Sequence, residues 1–450
     1  MNTYKLLHPD LTHDNIWKSV LAFTFPLMIS YFFQQLYNTA DSVIVGHFLG
    51  EKSLAAIGSC TAISELLIGF GTGFGNGLGI VASRYYGALN IKNLKKVTFS
   101  STVITICVTL FIMICGQLGL KPLLHLLGTP ESIINEAYSY IWTVAIFSGV
   151  LFAYNFLSGL LRAIGNSFMP LVFLVTASVL NIALDLIFVG FFHLGVKSTA
   201  IATVIAQGLS ALLCLVYILK KATILIPSKE SLKIDKTIYK DLITQGLSMA
   251  LMSSLVSSGS VILQSSINRF DTAIIAGHIT ARKIFELSII PLITLGLSSS
   301  TFVSQNLGAG KIDRIKKGIK VSNLLSIIWG IICTILIPIF AKQLIQAVSG
   351  STSPKLLDYG TKYITFMQPF YAILGILFVS RNSLQGLGSK FLPLISSIIE
   401  LVGKIIFTSI IIPHIGIWGI IICEPLIWVL MTIQLLIALI QNPRFKEKNL

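Results

Sequence analysis

Five acidic side chains lie where the chain is otherwise apolar: Asp41, Glu65, Asp185, Glu400 and Glu424. An ionised carboxylate at the centre of a bilayer helix costs about 2.5–3.5 kcal/mol on insertion scales, so acids in such places are candidates for function. With about 3.6 residues per helical turn, Gln34, Asn38 and Asp41 share one face, and Asn181 and Asp185 lie one turn apart. Thr203, Gln207 and Ser210 form a third polar stripe at the same spacing. The three stripes offer carboxylate and neutral oxygens, the ligand set that a hard monovalent cation prefers. Desolvation disfavours the charged form of a carboxylate, so such groups could also carry protons. The plainer reading, that polar groups only tie helices together, stays open for each of them.

The remaining charged groups are paired by spacing. Glu400 precedes Lys404 by one turn, the favoured order for an i,i+4 ion pair, and Arg282 and Glu286 are again i,i+4 and are expected to pair. Glu65 shares a face with Thr61, Thr72 and Asn76 and is a candidate for lining a cavity. Six alternating glycines from Gly69 to Gly79 lack the Lys and Ser/Thr of a phosphate loop, so close helix packing is expected of them. There is no H-E-x-x-H, G-x-S-x-G or Walker pattern, and the six cysteines show no C-x-x-C spacing. No enzyme chemistry, structural metal or disulfide framework is expected. Nor is any cofactor, beyond a monovalent cation or a proton held by the three polar stripes.

Such residues need apolar helices to hold them. The chain has 450 residues, 54% hydrophobic and 11% charged, against about a quarter charged in soluble domains. Runs such as Val97–Gly116 and Leu171–Phe192 reach the roughly 20 apolar residues that a spanning helix needs. Twelve spans are predicted, centred near residues 30, 68, 106, 145, 179, 208, 254, 290, 330, 372, 403 and 428. Pro26, inside the first, removes a helical hydrogen bond and is expected to kink it. The first apolar run starts near Ile16, outlasts a signal h-region and has no small-residue cleavage site, so it is expected to stay as a span. The net charge of +15 gathers on one side, in Arg84 to Lys96, Lys220 to Lys240 and Lys311 to Lys320. Basic loops stay inside, so both termini and the polar 221–240 linker are predicted to be cytoplasmic in a multi-pass plasma-membrane protein. The basic balance is a topology signal, and no nucleic-acid partner is expected.

The chain also repeats itself. Gln34, Asn38 and Asp41 recur 230 residues later as Gln264, Asn268 and Asp271. GALNIKNLKK from Gly87 matches GAGKIDRIKK from Gly308 at 221 residues, and GNSFMPL from Gly165 matches GSKFLPL from Gly388 at 223. Six spans per copy is an even number, so the copies cross in the same direction as parallel repeats. The predicted fold is an all-α polytopic membrane protein with twelve transmembrane helices in two pseudo-symmetric six-helix bundles. Residues 1–220 and 241–450 form the lobes. Gln264 and Asn268, like Gln34, Asn38, Gln207, Glu400 and Glu424, are candidates for lining a cavity; Glu424 falls where the repeat places Thr203.

The Pro26-x(7)-QQLYNTADSVIVG pattern resembles the multidrug and toxic-compound extrusion (MATE) family of cation antiporters, as do RYYGA from Arg84, GNSFMPL with NIALDLIF from Asn181, and QNLGAGK from Gln305. The resemblance implies a twelve-helix, two-lobe fold exporting organic cations against an inward Na⁺ or H⁺ gradient. Its acidic site corresponds to Asp41, Asn181, Asp185 and Thr203. In some branches acids of spans seven and ten take part; here span seven has only Asp271 at its end, and span ten has none. Efflux of cationic or amphipathic small molecules by a monomer in the lipid bilayer is therefore the leading reading. A lipid-linked saccharide flippase is the alternative, though its phosphates would call for a basic cavity.

Overall fold

The computed structural model describes residues 9–446, so the extreme termini, whose side of the membrane the charge pattern predicts, lie outside the described residues. The helices are α1 Ile16–Leu49, α2 Glu51–Gly87, α3 Ile91–Leu126, α4 Ile134–Ile146, α5 Ser148–Ala163, α6 Phe168–Asp185, α7 Lys197–Lys220 and α8 Lys236–Ile267. There follow α9 Thr272–Gly308, α10 Ile312–Ser349, α11 Pro354–Met367, α12 Tyr371–Gly386, α13 Phe391–Ile406, α14 Ile412–Ile415, α15 Ile417–Ile440 and α16 Pro443–Lys446. Among the described residues, eleven spans are long and apolar enough to cross a membrane. The pair α4 and α5, bent by 43° at Phe147, makes a twelfth. The bend falls at Ser148–Gly149, a pairing that weakens the helical ladder. On α3, Ile106, Leu110, Phe111, Ile114 and Leu118 are all exposed, as suits a helix facing lipid.

The chain packs as two compact units, one built around Phe25–Ser254 and the other from Leu11–Thr24 with Leu255 onward. The linker goes with the first unit. Leu225 is fully buried in a core with Leu94, Val97, Phe156, Ile238 and Leu242. Lys96 meets Asp235 at 3.4 Å and Arg84 meets Asp241 at 3.0 Å. The Ile238 amide first, then Lys96, holds the Asp235 carboxyl below the usual carboxylate range.

The alternating glycines of α2 are where its neighbours come closest. A Cβ at Gly75 would stand 2.7 Å from the Asn155 backbone, and one at Gly79 would stand 3.0 Å from the Gly159 carbonyl on α5. On the other face, a Cβ at Gly73 would lie 2.5 Å from the Met249 carbonyl and one at Gly77 would lie 2.7 Å from Gly246 on α8. No side chain fits at these points, and the close packing expected of the run is present.

Helix α1 runs without interruption from Ile16 to Leu49 with Pro26 inside it. Pro26 has no amide, which leaves the Ala22 carbonyl without its helical donor. In the second unit, Asn306 Nδ2 and Arg314 Nε both donate to the Leu11 carbonyl, at 3.0 and 3.1 Å, and Lys311 Nζ donates to that of Thr12 at 3.0 Å.

Candidate functional site

Helices α1, α6 and α7 of the first unit bring the predicted residues together. Asp185 is the last residue of α6, where the chain widens into a π-turn over Leu186–Phe191. Its carboxyl is fully buried, and Asn181, one turn earlier, is 2% exposed. Asn181 Nδ2 donates to Thr203 Oγ1 of α7 at 3.4 Å, joining two of the three stripes. The carboxyls of Asp41 and Asp185 lie within hydrogen-bonding reach of one another. Beyond that mutual contact no donor among the described residues reaches Asp41 Oδ1, Asn181 Oδ1 or either Asp185 oxygen. Buried oxygens are normally satisfied, and leaving one without a donor costs about 1–3 kcal/mol. Two carboxylates at such range also repel unless a proton or a cation lies between them.

A narrow pocket, with about 20 Å³ of interior space for water-sized occupants, adjoins these side chains. Asn181 and Thr203 line it, with Gln34, Gln207 and the rings of Tyr37 and Tyr154. The buried Tyr37 lies with Gln34 and Gln207 in one wall of the pocket. Tyr37 was not among the candidates read from the sequence, yet it lies one turn from both Gln34 and Asp41. Polar partners at that spacing were the available signal. No Lys or Arg lines this pocket.

Other candidates fall elsewhere. Asn38 and Glu65 are exposed. Gln264 Nε2 donates to Asn268 Oδ1 at 2.8 Å in the second unit, but α8 has ended at Ile267 and Asn268 stands in an exposed turn. Asp271, the repeat of Asp41, caps α9 by accepting from the Ile274 amide at 3.2 Å and is ion-paired with Lys355. Lys355 first, with that amide, holds its carboxyl below the usual range.

Glu400 and Glu424 belong to a buried ionic chain in the second unit. Lys404 Nζ lies 3.1 Å from Glu400 Oε1, as the spacing predicts, and 3.4 Å from Glu424 Oε1. Arg282, which the sequence pairs with Glu286, directs Nη1 to Glu424 at 2.7 Å. Arg381 reaches Glu400 at 3.8 Å and Tyr363 donates to Glu424 at 3.3 Å. A lone arginine inside an apolar span was the signal that would have singled out Arg381.

Comparison with known proteins agrees with this architecture. Probable multidrug resistance protein YoeA of Bacillus subtilis is 27% identical over 90% of this chain and 90% of its own length. Multidrug export protein MepA of Staphylococcus saprophyticus is 23% identical over 95% of this chain and 92% of its own. A structure described as the outward-facing conformation of a multidrug resistance MATE family transporter of the MOP superfamily matches with a TM-score of 0.90 at 21% identity, covering 100% of both chains. The MatE family profile matches residues 26–187 and again 248–410, once in each copy of the repeat. With two profile matches spanning most of its length and a MATE fold of eleven or twelve spans, the chain belongs to the MatE family of membrane transporters and is not an enzyme.

Proposed function

We propose that the protein is a secondary active antiporter that exports cationic or amphipathic organic compounds in exchange for inward Na⁺ or H⁺. The observation that carries this reading is the group of donorless buried oxygens on Asp41, Asn181 and Asp185, beside the Thr203 hydroxyl. An all-oxygen set with two carboxylates suits a hard monovalent ion or a shared proton. The pocket, walled by Tyr37 and Tyr154 and adjoining that set, would take the organic compound. Its rings suit an amphipathic body, and ring faces attract organic cations. The names of the relatives point the same way. A lining without Lys or Arg disfavours the phosphate-bearing cargo of a flippase.

Exchange follows from electrostatics. A buried carboxylate pair is costly to leave ionised and empty, so one cation leaves as another arrives. The chain works as a monomer in the plasma membrane, with its termini in the cytoplasm. Each monovalent ion entering yields about 2.3 kcal/mol per 100 mV, enough for about a 50-fold gradient of a neutral substrate. The test is transport in proteoliposomes with a Na⁺ gradient and a pH gradient imposed separately. One of the two is expected to drive uphill movement of a fluorescent organic cation. Transport indifferent to both would overturn the antiport reading.

A further inference from the structure

The two copies of the repeat can be laid on each other residue by residue around the site. Gly165 and Gly388 both have left-handed backbones, φ +89° and +82°, and α6 and α13 start three residues later at Phe168 and Phe391. That 223-residue offset, run along the helices, sets Ala177 against Glu400 and Asn181 against Lys404. After these helices, HLGV from His193 matches HIGI from His414 at 221 residues, which sets Thr203 against Glu424. The contacts bear the register out. Asn181 Nδ2 lies 3.4 Å from Thr203 Oγ1, and Lys404 Nζ lies 3.4 Å from Glu424 Oε1.

The same places therefore hold different chemistry. In the first unit Ala177, Asn181 and Thr203 line an open pocket next to donorless oxygens. In the second, the equivalent positions carry Glu400, Lys404 and Glu424, which are 7%, 1% and 5% exposed. Lys404 Nζ is surrounded by oxygen: Glu400 at 3.1 Å, Glu424 at 3.4 Å and the Ser260 hydroxyl at 3.4 Å. Its stem runs over Gly259, where a Cβ would come within 3.0 Å of Lys404 Cδ. The two aspartates are not kept. Asp41 is matched by the surface cap Asp271, and Asp185, at the 223-residue offset, by Thr408.

We propose that the Lys404 ammonium is a tethered cation that permanently fills the second unit's counterpart of the ion site, so that this unit exchanges no ion. The proposal rests on reading the Asn181–Thr203 region as an ion site. A covalently held ammonium cannot leave, and two buried carboxylates cannot do without it. Arg381 and Arg282, at the outer oxygens of Glu400 and Glu424, complete the neutralisation together with Glu286, which faces Arg282.

Truncating the lysine should turn a filled site into a vacant one. In an Asp41→Asn background, where the first unit's site is already disabled, Lys404→Ala is expected to lower the thermal unfolding midpoint by about 5 °C or more. Ethylammonium chloride should restore at least half of that loss saturably, while tetramethylammonium chloride at equal ionic strength, too bulky for the space, should not. No loss, or equal responses to the two salts, would overturn the proposal. If Lys404→Ala yields no folded protein, the charge-balanced Lys404→Ala/Glu424→Gln variant should fold and ignore ethylammonium; its failure to fold would place Lys404's role in packing and overturn the proposal too. Because the readout is unfolding with Asp41 already neutral, it stands or falls separately from ion-driven transport by the wild type.

Discussion

Asp41 and Asp185 differ from the other intramembrane acids in what compensates them: each other, and no basic side chain that donates to the buried oxygens. Asp41→Asn and Asp185→Asn keep the shape and remove the charge. Each is expected to abolish ion-driven export, measured in proteoliposomes, while the protein still inserts; two variants exporting at wild-type rates would sink the assignment. Glu400→Gln and Glu424→Gln should fail differently. Each leaves a buried Lys404 or an arginine short of charge, at a cost of about 3–5 kcal/mol, so the loss should appear in folded yield and not in coupling. The acids were legible because a carboxylate in an apolar run has few innocent explanations. Tyr37 was not, since a tyrosine in such a run reads as packing until the pocket it lines is known. The contact of Lys404 with Glu424 joins two spans that nothing local in the sequence connects.

At the scale of the helix, most of what positions the site could be read from hydropathy and turn residues, and what could not is where helices change type. The break at Phe147 carries Ser148–Gly149, and its counterpart, the tight turn over Gln368–Phe370, carries Pro369. The π-turns at Leu186–Phe191 and Phe407–Ile411 have no such marker, being apolar throughout apart from Gly190, Thr408 and Ser409. One of them sets Asp185 at the end of its helix. The glycine run makes a sharper test. Gly77→Ala would drive a methyl into the backbone at Gly246, whereas Gly58→Ala meets nothing within 4 Å. The first should lower the unfolding midpoint, overpacking costing about 1–3 kcal/mol. The second should leave it unchanged or raise it, since alanine is the better helix former. Equal effects would mean that the seam is not tight.

Over the whole molecule the repeat and the charge pattern carried the most information. They predict two six-span copies and a side for every loop, but not the way the chain divides in packing. The linker reads as a polar spacer, yet Leu225 and the Arg84–Asp241 pair tie it to the first unit. The positive-inside pattern predicts that it lies in the cytoplasm. In a variant with its six cysteines replaced, Lys229→Cys, exposed on that linker, should resist a membrane-impermeant thiol reagent added to intact cells and react once they are opened. Ready labelling from outside would reverse the orientation.

The glycine seam of α2 bears on electrical insulation. A membrane transporter sits across a voltage, and a file of water along any helix joint would short-circuit that voltage with protons. Backbone meeting backbone on both faces of α2, at Gly73, Gly75, Gly77 and Gly79, leaves no room for such a file. A wall that tight would let the field drop across the aspartate pair of the proposed ion site instead of leaking away along the helix beside it.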